Sequence, residues 1–200
     1  MELGKDDTLF LLGDYIDRGP DSKGVLDFLL SLQADGYDIR PLMGNHEELC
    51  LNAAAGDTVA RSIWYGNGGY GTLQQFGVKR PEEIPQRYLA FMAALPRILV
   101  EPDYVLVHAG LDFSAAGPLR DTAPDFMLWQ RSERVNPRNI AGRTLVCGHT
   151  MTPLFAIEES RGGEVICLDN GCYDKGHMGY GTLVALDLDT RQLLVQGNCE

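Results

Sequence analysis

The sequence predicts an α/β fold with a mixed sheet, or with two sheets packed together. Three observations carry this expectation. The first half alternates short apolar runs with stretches whose apolar residues recur at helical spacing. The second half loses the helical period and shows short apolar or β-branched runs separated by turns. The chain has 200 residues, 44% of them hydrophobic, which suits one sizeable core and a single domain over residues 1–200.

In chain order, Leu9 to Leu12 is a continuous apolar run, as expected of a strand covered on both faces. Ser22 is placed to cap a helix with apolar positions Val25, Leu26, Leu29 and Leu32, and Gly36 to stop it. Ile39 to Met43 reads as a second strand, followed by a helix over Glu47–Ala55. Residues 56–80, rich in glycine and aromatic groups, read as a loop or lid. Ile84, Tyr88, Phe91 or Met92, and Leu95 mark another helix, ended by Pro96. Then Tyr104–Val107, Thr144–Cys147, Val165–Leu168, Leu183–Leu188 and Leu193–Val195 read as strands.

The formal net charge is -11. That excludes general nucleic-acid binding, which wants a basic stripe. It also means that an anionic substrate must find positive charge locally. No apolar stretch approaches the ~18–20 residues of a membrane span. The first residues, MELGKDDT, lack the pattern of a signal peptide, so a cytoplasmic location is expected. Five cysteines without a C-x-x-C pair suggest reduced, mostly buried thiols.

Four strand ends look alike. Leu12 leads into Gly13-Asp14, Met43 into Gly44-Asn45-His46-Glu47, Val107 into His108-Ala109-Gly110, and Cys147 into Gly148-His149-Thr150. The carboxyl ends of strands form the ligand crevice of α/β sheets, and glycine lets backbone approach a ligand closely. Any one of these residues also suits a turn, a helix cap or a buried histidine. Together they suggest a metal site of mixed oxygen and nitrogen donors. His177 is the one histidine away from such an ending and reads as a surface residue.

The motifs G-D-x-x-D-R-G (13–19), G-N-H-E (44–47), H-A-G (108–110) and G-H-T (148–150) occur in an order that resembles calcineurin-like metallophosphoesterases. The resemblance is to the phosphoprotein phosphatase branch, of the bacterial and bacteriophage-lambda serine/threonine type. N-G-G (67–69), W-x-R (129–131) and L-D-N-G (168–171) fit as well. It implies a β-sandwich of mixed sheets flanked by helices, and two divalent metals of the manganese type. Asp14 would bridge the metals, and Asn45, His108 and His149 would complete the second metal's shell. His46 would be the general acid, oriented by Asp17, while a metal-bound hydroxide attacks phosphorus in line without a phosphoenzyme. Arg18 and Arg131 would clamp the phosphoryl oxygens, with Arg134 an alternative to Arg131. The Trp64–Tyr70 segment reads equally as a substrate-facing lip or as aromatic packing.

The family ordinarily opens with a βα unit bearing G-D-x-H-G, and this sequence contains no D-x-H. The first βα unit, with an Asp and a His for the first metal, is therefore expected to be missing. The strand edge it would pair with should be covered by a second copy of the chain or by a rearranged segment, unless the protein starts further upstream. One metal site is then well supported and the other poorly. The expected activity is hydrolysis of phosphomonoesters, chiefly phosphoserine or phosphothreonine in proteins. The alternatives are a symmetrical dinucleoside polyphosphate hydrolase and a catalytically impaired phosphate-binding protein.

Overall fold

The computed structural model describes residues 3–174 and 176–199. It divides into two compact units, residues 1–96 and 97–200. Both mix helices with strands, and three sheets are present among the described residues. Among the same residues no helix is long and apolar enough to cross a membrane.

The first unit is built on β1 (Thr8–Leu11), α1 (Ser22–Ala34), β2 (Asp38–Pro41) and α2 (Asn45–Ala54). The two strands pair in parallel, so α1 is a crossover and the loops after both strands leave at the same edge. Asp21, not Ser22, caps α1, accepting from the Gly24 N–H at 2.8 Å. Leu26 and Leu29 are buried, while Val25 and Phe28 face solvent. Gly36 ends the turn beyond the helix at φ 81°, a left-handed conformation suited to glycine.

The segment expected to be a loop is mostly helical. It forms α3 (Thr58–Trp64), a π-helical turn (Tyr65–Gly69) and α4 (Tyr70–Phe76). Asp57 caps α3 through the Val59 and Ala60 N–H groups. The glycines, instead of dissolving the helix, are absorbed in the wide turn, where Gly68 takes φ 116°. Trp64 packs so closely on Gly69 that a Cβ there would lie 2.5 Å from the indole. A short 3-10 turn (Pro81–Glu83) and α5 (Gln86–Ala93) complete the unit, with Tyr88, Phe91 and Met92 buried.

The second unit carries β3 (Ile98–Val100), β4 (Tyr104–Val107), α6 (Pro118–Asp121), α7 (Pro124–Trp129), β5 (Thr144–Cys147), α8 (Leu154–Ser160), β6 (Val165–Cys167), β7 (Thr182–Leu186) and β8 (Leu193–Gly197). Its main sheet has the order β3-β4-β5-β6, with the first pair antiparallel and the rest parallel. Every residue of β4 and β5 is buried, which explains why, Thr144 apart, their sequences are apolar. Val105, Val107, Leu111, Met127, Ile140, Leu145 and Cys147 form the core. β7 and β8 make a separate hairpin. Parallel pairing demands crossovers, and these hold the short helices α6 to α8 that the apolar pattern alone did not suggest.

Candidate functional site

In the first unit the loop after β1 turns sharply. Gly13 has φ 100°, and Asp14, Asp17 and Arg18 follow with φ of 59°, 72° and 58°. Such values are uncommon outside glycine and persist only where surrounding contacts hold them. Glu47, on the first turn of α2, supplies several of those contacts. Its carboxylate is fully buried and accepts from the N–H groups of Asp14 (2.9 Å), Gly44 (2.9 Å), Tyr15 (2.7 Å) and Ile16 (3.3 Å). Burial, then the neighbouring Asp14 charge, raise its pKa to about 7, while the N–H donors pull it down. Gly44 is required for space: a Cβ there would lie 2.2 Å from Asp14 Oδ1 and 2.4 Å from the Asp14 nitrogen.

Asp17 and His46 meet in the same unit. His46 Nδ1 lies 2.6 Å from Asp17 Oδ2, and both side chains are buried. The Trp64 indole N–H donates to the same oxygen at 2.8 Å, and the Thr72 hydroxyl donates to Oδ1 at 2.5 Å. The Asp17 backbone N–H is taken up by Ser22 Oγ at 3.0 Å and Thr72 Oγ1 at 3.1 Å. Ser22 thus serves the loop, which is why the cap of α1 falls to Asp21. Gln75 extends the support, donating to the Gly19 carbonyl at 2.9 Å and accepting from the Ser22 N–H. Burial lowers the pKa of His46, but the Asp17 hydrogen bond and the charges of Asp14 and Asp17 outweigh it, so the net shift is upward. Arg18 is exposed at the tip of the loop. Asn45 opens α2 and is buried, and the His46 N–H donates to Asp14 Oδ1 at 3.3 Å.

In the second unit His108 and His149 follow the adjacent parallel strands β4 and β5. The Gly148 N–H donates to the His108 carbonyl at 2.8 Å, tying the two strand ends together. His149 takes φ 63°. His108 Nε2 and His149 Nδ1 are 3.2 Å apart. Two imidazole nitrogens each about 2.1 Å from one ion, at angles between octahedral and tetrahedral, stand about 3.0–3.4 Å apart. The pair therefore fits a shared divalent ion, and the same spacing suits an N–H···N bond between the rings. Arg131 Nε donates to Thr150 Oγ1 at 2.7 Å, one residue beyond His149. Arg134, the alternative, takes φ 48°.

The matched region of the calcineurin-like phosphoesterase family model runs from residue 2 to 175, most of the chain. The chain belongs to the calcineurin-like phosphoesterase family. A symmetrical bis(5'-nucleosyl)-tetraphosphatase of Aromatoleum aromaticum is 33% identical over 105 residues, 52% of this chain and 34% of that protein. Serine/threonine-protein phosphatase 1 of Salmonella typhimurium is 30% identical over 138 residues, 66% of this chain and 59% of that protein. A Saccharomyces cerevisiae protein serine/threonine phosphatase structure shares the fold with a TM-score of 0.57 at 17% identity, over 98% of this chain and 71% of that one. The chain matches 17% and 34% of the length of two tetraphosphatase relatives.

Within this family fold, the sequence pattern gave Glu47 and Thr72 no role in the site, and it offered Trp64 as a lip or as packing, not as the partner of Asp17. A Glu three residues into a helix is a capping signal, so its bond to Gly44 was readable, but its reach to the Asp14 loop was not. A buried indole N–H usually finds a partner, which was the available hint for Trp64. Asn170 belongs to L-D-N-G. It is buried and knits its loop together, donating to the Thr152 and Gly179 carbonyls and accepting from Thr182. His177 is exposed and pairs with Asp174 at 2.6 Å.

Proposed function

We propose that the chain is a metal-dependent phosphatase acting on phosphomonoesters, with phosphoserine and phosphothreonine in proteins as its principal substrates. The observation that carries this reading is the buried His46–Asp17 pair, with both Asp17 oxygens held by Trp64 and Thr72. A carboxylate fixed in this way orients the imidazole and stabilises its protonated form. Because Nδ1 is engaged by Asp17, the proton passed to a leaving alkoxide comes from Nε2. Asp14 and Asn45 are assigned as oxygen donors, and His108 and His149 as nitrogen donors, to a divalent ion of the manganese type. Such an ion supplies Lewis acidity toward a phosphoryl oxygen and activation of water. Arg18 and Arg131 are assigned to the phosphoryl oxygens, where planar guanidinium forks suit the geometry. The five cysteines, free of disulfides, agree with a cytoplasmic location.

A second reading, hydrolysis of dinucleoside polyphosphates, is favoured by the relatives that carry that activity in their names. The test is turnover of p-nitrophenyl phosphate, a phosphothreonine peptide and diadenosine tetraphosphate with added Mn²⁺, for this chain and for His46→Ala. Release of phosphate from the peptide, lost in the variant, supports the first reading. Cleavage of the dinucleotide alone supports the second, and no turnover above the variant overturns both.

A further inference from the structure

We propose that Cys147 and Cys167 close into a reversible disulfide under mild oxidation, joining β5 to β6 at the root of the His149 loop. The two residues are directly paired at the last step of the parallel ladder. Their Sγ atoms lie 2.8 Å apart as a thiol–thiol hydrogen bond. Neighbouring strands run about 4.8 Å apart, inside the Cα range of about 4.4–6.8 Å that a disulfide accepts. Closing to an S–S bond of about 2.05 Å therefore asks the sulfurs to approach by roughly 0.75 Å.

Exposure sets the order of events. Cys147 is buried, and Cys167 is half-buried, so an oxidant meets Cys167 first. The hydrogen bond from Cys147 holds the Cys167 thiol below its ordinary pKa, against the opposing effect of burial. Hydrogen peroxide is the oxidant. The Cys167 thiolate attacks one oxygen, the O–O bond breaks, and the departing hydroxide takes up the proton that the thiol released, leaving a sulfenic acid and water. The Cys147 sulfur then attacks Cys167, the S–O bond breaks, and the departing hydroxide takes the Cys147 proton as water. In sum two thiols are oxidised, one peroxide is reduced, and two waters form. The clasp spans the roots of two loops that already touch: the Leu168 N–H donates to the Cys147 carbonyl at 2.8 Å, and the Thr152 N–H to the Asp169 carbonyl at 2.7 Å. This inference is independent of the proposed substrate, because its readout is thiol chemistry.

The experiment is graded peroxide treatment of the reduced full chain, alkylation under denaturing conditions, and peptide mass mapping. The expected result is a Cys147–Cys167 cross-linked peptide, reversed by a thiol reductant. In Cys167→Ala, which alters the half-buried partner, Cys147 should stay alkylatable at doses that cross-link the wild type. Circular dichroism of that variant checks that it folds. A wild type in which both thiols stay alkylatable, or in which Cys167 advances to sulfinic acid without cross-linking, overturns the proposal.

Discussion

The backbone N–H of Asp14 donates to Oε2 of Glu47 at 2.9 Å, across 33 residues of sequence. The same carboxylate holds Tyr15, Ile16 and Gly44, so one buried side chain sets the path of the loop that carries Asp14, Asp17 and Arg18. Glu47→Ala strands these N–H groups in a dry interior. The expected loss is about 3 kcal/mol of unfolding free energy, read from urea denaturation. A loss below about 1 kcal/mol would show that the loop holds its own shape.

Glu47 also gives the metal-free protein a pH signature. Its folded pKa of about 7 lies above its ordinary 4.5. Between those values the folded state binds more protons than the unfolded state, so stability falls as pH rises. The contribution is complete below pH 4.5 and is lost by pH 7, with a span of order 3 kcal/mol. In EDTA the stability difference between wild type and Glu47→Gln should change across that window. A difference that does not vary with pH would contradict the assignment.

Asp17 and His46 act as a pair, and the two substitutions should differ in kind. His46→Ala should lower kcat on a phosphothreonine peptide by ~10²–10⁴, and much less on p-nitrophenyl phosphate, whose leaving group needs little help from an acid. Asp17→Asn removes the charge that raises the His46 pKa. The alkaline limb of the pH–rate profile should therefore move to lower pH. Equal losses on both substrates for His46→Ala would argue against an acid role.

Gly44 has φ -99°, so its replacement by alanine carries no backbone penalty. The obstacle is the Asp14 side chain and backbone, within 2.4 Å of the new Cβ. Gly44→Ala should cost about 1–3 kcal/mol of stability and weaken Mn²⁺ binding by displacing Asp14. Calorimetric titration with the metal measures the second effect.

The strand endings were legible because their chemistry is local. Glycine precedes Asp14, Asn45 and His149 and lies two residues after His108, at Gly13 for a left-handed turn and at Gly44 for the close approach of Asp14. The buried strands β4 and β5 were equally plain, since complete burial writes a run of apolar or β-branched residues. The helices α3 and α4 were not. Asn67, Gly68 and Gly69 look like loop residues, whereas Trp64 before them and Thr72 after them are held on Asp17 by tertiary contacts that the local sequence does not display. The cap at Asp21 was misplaced for a related reason. Ser22 has the right side chain for a cap, but a neighbour distant in structure type, the Asp17 N–H, claims it.

The wide turn between α3 and α4 has a further meaning for how this segment can change. Trp64 before it and Thr72 after it reach the two oxygens of one carboxylate. An α-helix advances about 100° per residue. Deleting a single residue from Tyr65–Gly69 would swing Thr72 by roughly that angle and uncouple it from Asp17. Gly66 has open space around it and can accept a side chain. The segment thus accepts a new side chain at Gly66, refuses one at Gly68 and Gly69, and is intolerant of a change in length throughout.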